Sequence, residues 1–376
     1  MINNYKKIVI KIGSSSIIDD QTGRIRTAWL NSICKNISLL IKENKKIVIV
    51  SSGAIALGRK HIGNNKNIRK LEDKQAAAAI GQIELAYYWQ QSLKKYKIKC
   101  AQLLLTLDDS EIRRRYLNAR KTIYSLQKNK IIPVINENDT VATEEIRYGD
   151  NDRLAARVAQ MIDADLLIML SDVDGLYTKR PQKNNKVKKI SNVKKINPSI
   201  EKMASSKSSK FGSGGMATKI WAAKICMNSG CSTIIANGKK NNPLQNIDSS
   251  NSTLFQASTS PGNSRKKWIL NHLHPSGIIV VDNGAEKAIL QNKSLLPSGV
   301  TDIKGNFARG DILSIVNEKN SKIGIGVIAY DFSEAKKIIG KKSKEIKIIL
   351  GYEGRDEIIH KDDLVKINSW QIKKKL

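Results

Sequence analysis

From the N-terminus to about residue 240, short apolar runs alternate with longer segments in which apolar residues recur at helical spacing. The apolar runs predict buried strands at Lys7–Ile12, Lys46–Val50, Lys99–Leu105, Ile131–Ile135, Asp165–Leu170 and Ser232–Ala236. The segments between them predict helices at Thr27–Glu43, Leu71–Tyr96, Asp108–Lys128, Asp152–Ile162 and Met216–Ser229. Strands separated by helices are typical of βαβ crossovers. We therefore expect an α/β fold with a mostly parallel sheet sandwiched between helices.

The pattern changes after residue 236. Residues 237–267 are rich in Asn, Ser, Gly and Pro, which predicts either a linker or peripheral strands. From Pro275 onwards, short strand-like runs broken by glycine predict a small, mainly β, barrel-like domain. We expect a first domain over residues 1–260, a linker over 261–274, the mainly β domain over 275–367 and a basic tail over 368–376.

The composition excludes several classes of protein. No apolar stretch approaches the ~18 residues needed to span a bilayer, so we expect no membrane contact. The chain begins at Met1 and leads directly into a strand, without the pattern of a secretion signal. The four cysteines form no Cys-x-x-Cys pair, and the four histidines lie at no zinc-binding spacing. These features predict a reduced, cytoplasmic protein.

The chain is strongly basic, with 65 Lys and Arg residues against 34 Asp and Glu residues and a formal net charge of +31. A basic surface attracts polyanions such as nucleic acid. The lysines are spread over the whole sequence, however, and aromatic residues, on which bases stack, make up only 5%. This pattern is typical of a bias towards A/T-rich codons, and we expect no specific nucleic-acid partner.

Six acids are concentrated in residues 136–152 of this basic chain, namely Glu137, Asp139, Glu144, Glu145, Asp150 and Asp152. The segment directly follows a predicted strand, and in open α/β sheets ligands bind beyond the carboxyl ends of the strands. A solvated acidic loop is the alternative. Two clusters of Asn and Asp, at 136–139 and 150–152, and a helix that starts directly afterwards favour a binding site.

Three loops are rich in glycine and serine: Gly13–Ser16 and Ser51–Ala54 follow the first two predicted strands, and Gly212–Lys219 opens the helix before the last strand. Glycine allows the backbone to approach an anion closely, and a helix N-terminus presents free N–H groups. One such loop is weak support, but three together indicate phosphate binding. The sequence contains no P-loop motif and none of the protein-kinase motifs.

Two lysines and one acid lie where phosphoryl transfer would use them. Lys11 lies between Ile10 and Ile12 in a predicted buried strand, where a charge is unusual. Lys219 lies in the first turn of a predicted helix, where a cation opposes the helix dipole. Asp152 is equally well explained as a functional acid or as the cap of the helix that follows. Two lysines would neutralise a moving phosphoryl group, and an acid would orient them or hold Mg²⁺.

These residues belong to six longer motifs: VIKIGSS at Val9–Ser15, VSSGAIALG at Val50–Gly58, VINENDTVA at Val134–Ala142, YGDNDRLAARVA at Tyr148–Ala159, LSDVDGLYT at Leu170–Thr178 and GSGGMATKIWAA at Gly212–Ala223. Together the motifs resemble the amino-acid kinase family, and within it the glutamate 5-kinases with a C-terminal PUA domain. The INEND and GDND parts are specific to glutamate kinases, whereas the glycine loops occur across the wider family. The resemblance covers nearly the whole chain and implies an amino-acid kinase fold followed by a PUA domain.

The resemblance implies a role for each matching residue. It implies catalytic roles for Lys11, Lys219, Asp150 and Asp152. It implies that glutamate is bound by Ser52, Asp139 and Asn151, and that ATP is bound by Lys11, Ser171, Asp172, Ser213, Gly214, Gly215, Met216, Ala217, Thr218 and Lys219. No residue is assigned as a direct metal ligand. The family's more usual Thr, Thr and Ser are replaced by Ser51, Ser213 and Ala217, and the last change removes one hydroxyl contact to phosphate.

The implied reaction is the phosphorylation of L-glutamate by ATP, with Mg²⁺, to L-glutamyl 5-phosphate, the first step of proline biosynthesis. A carboxylate is already a nucleophile, so the chemistry needs positioning and charge neutralisation rather than a general base. The resemblance also implies a homo-oligomer inhibited by proline. We expect the proline sensitivity to lie in Leu57–Ala76 and in the acidic segment.

Two alternatives stay open. The first is another carboxylate or carbamate kinase of the same family, such as an acetylglutamate kinase. Such an enzyme must accept a blocked amine, and the acidic clusters argue against it. The second is an RNA-binding PUA protein. The net charge favours this alternative, but the candidate loops all lie before the PUA-like part of the chain.

Overall fold

The structure is a computed structural model that describes residues 1–62, 70–142, 150–179, 187–204, 215–264 and 275–366. No helix within these ranges is long and apolar enough to cross a membrane. The chain divides into two compact units, Met1–Pro261 and Gly262–Leu376. Residues 265–274 of the expected linker and the expected basic tail lie outside the described residues, so the domain boundaries stay predictions.

An eight-stranded sheet organises the first unit, with the order β3-β4-β2-β1-β5-β9-β10-β8. Its strands, and those of a small separate ribbon, are β1 (Lys7–Ile12), β2 (Lys46–Ser51), β3 (Lys99–Leu105), β4 (Ile131–Glu137), β5 (Leu166–Ser171), β6 (Leu176–Tyr177), β7 (Lys189–Ile190), β8 (Asn192–Val193), β9 (Ser232–Asn237) and β10 (Ser252–Phe255). Every neighbouring pair in the sheet is parallel except β9 and β10. The mostly parallel sheet predicted from the sequence is thereby confirmed. The strands β6 and β7 form the antiparallel ribbon.

Helices connect most of these strands. They are α1 (Ser14–Ile17), α2 (Thr27–Lys42), α3 (Ala54–Gly58), α4 (Leu71–Lys94), α5 (Leu107–Glu111), α6 (Arg113–Lys128), α7 (Asp150–Met161), α8 (Pro198–Ala204) and α9 (Met216–Asn228). The segment predicted as one helix over Asp108–Lys128 forms two, because Ile112 between α5 and α6 has an extended backbone. The sequence carries neither proline nor glycine there that would have predicted the break.

Two apolar layers cover the sheet, one on each face. Along β1, Ile8, Ile10 and Ile12 belong to the layer that includes α2, whereas Val9 belongs to the layer that includes α7 and α9. Successive residues of a strand point to opposite faces. Lys11 therefore lies on the same face as Val9, the face that α7 and α9 cover. The alternation of the strand thus directs the one charged residue in its interior towards these two helices.

The segment after β9 belongs to the sheet of the first unit. The strand β10 pairs antiparallel with β9 and parallel with the short β8. In β10, Thr253 Oγ1 donates to Ile190 O at 2.6 Å and accepts from Leu176 N at 2.8 Å, which joins the ribbon to the sheet. Of the two alternatives for residues 237–267, peripheral strands are therefore right.

The second unit is built on a five-stranded sheet with the order β12-β11-β13-β14-β15. Its strands are β11 (Gly277–Val281), β12 (Val300–Gly305), β13 (Ile312–Asn317), β14 (Lys322–Val327) and β15 (Leu364–Lys366). The pair β11–β13 is parallel and the other pairs are antiparallel. The sheet packs with α10 (Asn283–Leu290), α11 (Phe332–Ile338) and α12 (Ile346–Leu350) around its own apolar cluster. The prediction of a small, mainly β domain is confirmed.

Glycines let α3 and α4 approach to backbone contact behind the loop that follows β2. A Cβ on Gly81 of α4 would lie 1.9 Å from the carbonyl oxygen of Ala54. A Cβ on Gly58 of α3 would lie 1.8 Å from the carbonyl oxygen of Ala77. Because atoms that are not bonded do not approach so closely, only glycine fits at these two positions. The contact fixes α3, and with it the loop after β2, against α4.

Gly81→Ala should lower the stability of the first unit, although alanine favours helices. Inside a helix, alanine is worth about 1 kcal/mol more than glycine. Overpacking against a carbonyl group that cannot move aside costs more than that, and we expect a net loss of about 2 kcal/mol in the free energy of unfolding. Urea denaturation measures this loss.

Gly262→Ala, at the first residue of the second unit, is the control for an alanine substitution without overpacking, because no atom of the described residues lies within 4 Å of the Cβ position there. This variant should unfold at the same urea concentration as the wild-type protein. If Gly81→Ala proved as stable as Gly262→Ala, the backbone contact between α3 and α4 would be contradicted.

Candidate active site

The predicted site residues that the structure describes lie at one edge of the large sheet. The strands β1, β2, β4, β5 and β9 are parallel, so their carboxyl ends share this edge. Backbone hydrogen bonds join the loops that leave it. Gly13 N donates to Leu170 O at 3.1 Å, and Ser52 N donates to Ile12 O at 3.1 Å. The loops after β1, β2 and β5 are therefore held together before any ligand binds.

Three of the predicted catalytic side chains form one buried cluster. Lys11 Nζ lies 2.6 Å from Asp152 Oδ1, and Lys219 Nζ lies 3.1 Å from Asp152 Oδ2. Asp152 is fully buried, and Lys11 and Lys219 are only 7% and 4% exposed. The helix α7 begins at Asp150, so Asp152 lies inside its first turn and binds the two lysines. The alternative that Asp152 caps this helix is wrong.

The charges of this cluster shift one another's pKa. Burial by itself would raise the pKa of Asp152, but the two ammonium groups outweigh it and hold that pKa at about 2. Burial lowers the pKa of Lys11, and Asp152 offsets part of this effect. Two cationic side chains thus share one buried carboxylate at the edge of the sheet. Charged donors of this kind bind the oxygens of anionic ligands.

The start of α9 is bound to the same carboxylate. Thr218 Oγ1 lies 2.9 Å from Asp152 Oδ2 and 2.8 Å from Gly215 O, so its one hydrogen can serve either acceptor. Gly215 has an extended backbone and directly precedes α9. Residues 215–219 of the predicted ATP loop, which include Met216 and Ala217, thus form the N-terminus of a helix. Free N–H groups at such an end favour an anion.

Two of the predicted substrate residues, Ser52 and Asn151, form a second group together with Asn136 and Gln82. Asn151 Nδ2 donates to Ser52 Oγ at 2.9 Å and to Asn136 Oδ1 at 3.1 Å, and Asn136 Nδ2 donates to Gln82 Oε1 at 2.6 Å. Within the described part of the chain, Asn151 Oδ1 is buried and has no hydrogen-bond partner. Asp139 is 8% exposed and follows the end of β4. Because buried polar atoms are normally paired, the unpaired oxygen of Asn151 indicates a place for a ligand's donor.

The predicted nucleotide residues Ser171 and Asp172 form a third group, between β5 and β9. Ser171 Oγ donates to Asp172 Oδ1 at 2.9 Å, and Gly238 N donates to Ser171 O at 2.7 Å. Asn237 Nδ2 donates to Asp172 O at 3.5 Å. In the order of the sheet, the predicted substrate residues lie on the β2 and β4 side of β1, and this group lies on the β5 and β9 side. Lys11 of β1 lies between the two.

Several predicted positions lie outside the described residues. Ser213 and Gly214 of the predicted ATP loop are among them, and so are residues 143–149 of the acidic segment. The same holds for residues 63–69 of the segment in which we expect proline sensitivity. The backbone of Asp150 begins α7, but its side chain is outside the description.

Two contacts of the site are absent from the predictions made on the sequence. The sequence predicts Thr218 as an ATP contact and not as a partner of Asp152. Its hydroxyl lies one residue before Lys219, and this position could have indicated the contact with Asp152. Gln82 lies in a segment whose only signal is helical periodicity, and nothing in that periodicity marks it as a partner of Asn136. Only the folded chain brings them together.

Comparison with known proteins gives two family matches. The model of the amino acid kinase family matches residues 6–237, and the model of the PUA domain matches residues 277–350. Among solved structures, carbamate kinase from Giardia lamblia bound to AMP-PNP is similar with a TM-score of 0.48 and 16% sequence identity. That similarity covers 68% of this chain and 100% of the other.

Two relatives are similar over nearly their whole length. The glutamate 5-kinase of Paramagnetospirillum magneticum (strain AMB-1) is 49% identical over 361 residues, which cover 96% of this chain and 97% of the relative. The glutamate 5-kinase of Agrobacterium fabrum (strain C58) is 52% identical over 363 residues, which cover 96% of this chain and 93% of the relative. The chain therefore belongs to the amino acid kinase family, and within it to the glutamate 5-kinases, with a PUA domain after its kinase domain.

Proposed function

We propose that this protein transfers the γ-phosphoryl group of ATP to the side-chain carboxylate of L-glutamate. The products are ADP and L-glutamyl 5-phosphate, and the reaction is the first step of proline biosynthesis. Its place among the glutamate 5-kinases supports this reaction. The structural observation that carries the proposal is the buried cluster of Lys11, Asp152 and Lys219, which holds two ammonium groups at the edge of the sheet.

A glycine leaves room for phosphate beside Lys11. A Cβ on Gly13 would lie 3.9 Å from Lys11 Nζ, so glycine keeps the space next to the ammonium group free. At the start of α9, no atom of the described residues lies within 4 Å of the Cβ position at Gly215. Lys11 and Lys219 would therefore contact phosphate oxygens from two elements, with the N–H groups of α9 as further donors.

The group around Asn151 suits an amino acid. Glutamate carries an α-ammonium group, which needs acceptors, and an α-carboxylate, which needs donors. Asn151 Oδ1 and the buried Asp139 supply acceptors, and Ser52 Oγ accepts from Asn151 and can use its own hydrogen as a donor. Since Asn151 and Asp152 are consecutive in α7, one helical turn holds the groups for the amino acid and those for phosphate.

The reaction needs charge neutralisation more than proton transfer. The side chain of glutamate, with a pKa of about 4.3, is already ionised at neutral pH and attacks the γ-phosphorus as a carboxylate. Negative charge on the transferred group is then stabilised by Lys11 and Lys219. Because Asp152 fixes both ammonium groups beforehand, little reorganisation is needed when the substrates bind. ADP leaves as the phosphoanhydride bond between its β-phosphate oxygen and the γ-phosphorus breaks.

We assign Mg²⁺ to the nucleotide rather than to a cage of protein ligands. Within the described residues, no group of three or more His, Cys, Asp and Glu side chains could hold a metal ion. Both oxygens of the buried Asp152 are bound by lysines. Mg²⁺ commonly binds substrate phosphates and keeps several waters. ATP would therefore bring the ion, and the protein would supply the ammonium groups.

We further propose that the protein is a homo-oligomer. The residues Ile80, Ile83 and Tyr87 are spaced along one face of α4 and are 39%, 76% and 57% exposed. Exposed apolar residues grouped on one helix face are typical of a protein interface. The edge strand β3 directly follows α4 in the chain and lies at the end of the large sheet. This face supports an interface with a second copy of the chain.

Proline is the feedback inhibitor that we propose for the same enzyme. It carries an α-ammonium and an α-carboxylate, the two groups for which Asn151 and Ser52 are suited. Competition with glutamate at this group of residues follows from that shared chemistry. ATP turnover at fixed glutamate, with and without proline, measures the inhibition.

We place the protein in the cytoplasm. The cysteines Cys34, Cys100, Cys226 and Cys231 are all free thiols, and three of them are buried. Burial raises the pKa of Cys34 and of Cys100, which keeps these groups as thiols at neutral pH. Free cysteines are usual in a reducing compartment.

The proposed reaction is tested by ADP release with Mg²⁺ and a series of carboxylates. L-Glutamate should support turnover, and N-acetyl-L-glutamate should be at least about 100-fold poorer in kcat/KM, because acetylation removes the ammonium group. L-Aspartate should also be poor, because its carboxylate is one methylene shorter. Faster turnover with N-acetyl-L-glutamate than with L-glutamate would overturn the proposal in favour of an acetylglutamate kinase.

Lys11→Ala and Lys219→Ala should each lower kcat by about 100- to 1,000-fold, the usual effect of removing one group that stabilises transition-state charge. The KM for glutamate should change far less, because neither lysine belongs to the group around Asn151. Lys224→Ala is the matched control, since Lys224 lies on the same helix and pairs with Glu201 at the surface, at 2.7 Å. It should keep the wild-type kcat. Unchanged turnover in either of the first two variants would refute the role of that lysine.

Asp152→Asn should destabilise the protein in a pH-dependent way. At neutral pH we expect a loss of about 3 kcal/mol, because two buried ammonium groups lose their carboxylate. The pKa of Asp152, at about 2, lies below its ordinary value of 3.8. Its stabilising effect is therefore complete above about pH 4 and disappears as the pH falls towards about 2. Urea titrations should show the difference from wild type shrinking over that range, and a constant difference would contradict the charge cluster.

A further inference from the structure

A chain of side-chain hydrogen bonds leads from Gln82 of α4 to Ser52 in the loop after β2. Gln82 Oε1 accepts from Asn136 Nδ2 at 2.6 Å. Asn136 Oδ1 accepts from Asn151 Nδ2 at 3.1 Å, and Asn151 Nδ2 also donates to Ser52 Oγ at 2.9 Å. The chain joins α4, β4, α7 and the loop after β2, and its last two members are predicted substrate residues.

In the structure Gln82 presents its oxygen to Asn136, and the direction of each later bond follows from the bond before it. A primary amide has an acceptor oxygen and a donor NH₂ group, so an amide that gives one end to a neighbour turns the other end away. Because Gln82 presents an oxygen, Asn136 turns its NH₂ group towards α4 and its oxygen towards Asn151. Asn151 then uses its NH₂ group on Asn136 and Ser52. Its Oδ1 is left as a buried acceptor that is unpaired within the described residues.

We infer that Gln82 is a positioning residue that sets which end of the Asn151 amide faces the amino-acid substrate. The inference rests on the proposed function, in which Asn151 and Ser52 bind glutamate. With Oδ1 towards the substrate, Asn151 accepts from an α-ammonium group. With the amide reversed, an NH₂ group would face the ammonium and repel it. Gln82 thereby selects substrates that carry a free amino group, and it acts through Asn136.

The backbone that carries Gln82 is fixed relative to Ser52. Gly81 directly precedes Gln82, and a Cβ on Gly81 would lie 1.9 Å from the carbonyl oxygen of Ala54. Ala54 follows Ser52 by two residues. The first and last members of the hydrogen-bonded chain are thus attached to two backbones in direct contact. A change of the Gln82 side chain consequently acts on the amides between them and leaves the frame in place.

The test compares Gln82→Met, which removes the acceptor, with Gln82→Glu, which keeps an acceptor oxygen. In Gln82→Met the KM for glutamate should rise about tenfold, as expected when a hydrogen bond to a charged ligand group is lost. The kcat and the KM for ATP should stay within about twofold. In Gln82→Glu the KM for glutamate should stay within about threefold of wild type, because a carboxylate also accepts from Asn136.

A second measurement separates this role from a general structural one. Glutarate is glutamate without the amino group. The ratio of kcat/KM for glutamate to that for glutarate should fall about tenfold in Gln82→Met and stay near the wild-type value in Gln82→Glu. An unchanged ratio in Gln82→Met would overturn the inference, because a loosened structure would affect both substrates alike.

Gln90→Met is the matched control. Gln90 and Gln82 both belong to α4 and both line a cavity of about 320 Å³ against the ends of the strands, but Gln90 is not a member of the hydrogen-bonded chain. Its replacement should leave the KM for glutamate unchanged. An equal rise in Gln90→Met or in Gln82→Glu, or no rise in Gln82→Met, would overturn the inference.

Two provisions keep the outcome unambiguous. If Gln82→Met does not fold, Gln82→Ala removes the same acceptor with a residue that favours helices, and it is judged by the same values. If the wild-type enzyme shows no glutamate-dependent turnover, the proposed function itself is refuted. A wild-type enzyme that uses glutamate, with a Gln82→Met variant of the same KM and the same selectivity, refutes the role of Gln82 alone.

Discussion

A fully buried carboxylate that binds two ammonium groups is the interaction on which the rest of this structure depends. Asp152 comes from α7, Lys11 from β1 and Lys219 from α9. Taking an ion out of water costs several kcal/mol, so none of these three charges could be buried without the others. The cluster therefore joins the central strand to both helices on one face of the sheet. It also holds two cationic side chains at the edge of the sheet, where an anionic ligand would bind.

The order of the strands places the groups of the site on two sides of β1. The strand β1 lies in the interior of the sheet, with β2 and β4 on one side and β5 and β9 on the other. The amides and hydroxyls that suit an amino acid lie on the first side, and Ser171 and Asp172 lie on the second. Lys11 is positioned at the boundary because strand alternation directs it towards α7 and α9. A residue one position earlier or later in β1 would point into the layer formed with α2.

Much of this arrangement could be predicted from the sequence. Runs such as Lys7–Ile12 are mostly apolar because parallel strands are buried on both faces, and this makes them recognisable in the sequence. Lys11 is equally visible, because a charge inside such a run requires an explanation. The role of Asp152 was not decidable, since a helix cap and an ion pair both place an acid at the start of a helix. The positions of Lys11 and Lys219 in the folded chain distinguish the ion pair from the helix cap.

Other features depend on contacts between segments that are distant in the chain, and no local sequence pattern predicts them. Gln82 has the spacing of an ordinary polar helix residue, and its partner Asn136 lies in another element. Gly58 and Gly81 could be taken for weak points of two helices, whereas they allow backbones to touch. The extended backbone at Ile112 has no local cause that we can identify. Such features follow from the packing of the whole unit.

The adjacency of Asn151 and Asp152 in α7 has a geometric consequence. Two consecutive Cα atoms are about 3.8 Å apart, and this distance is set by covalent bonds and does not respond to packing. A shift of α7 would move the contact for the amino group and the anchor of the lysines by the same amount and in the same direction. The backbone spacing between the residue that contacts the amino group and the residue that anchors the lysines is therefore unchanged when α7 moves.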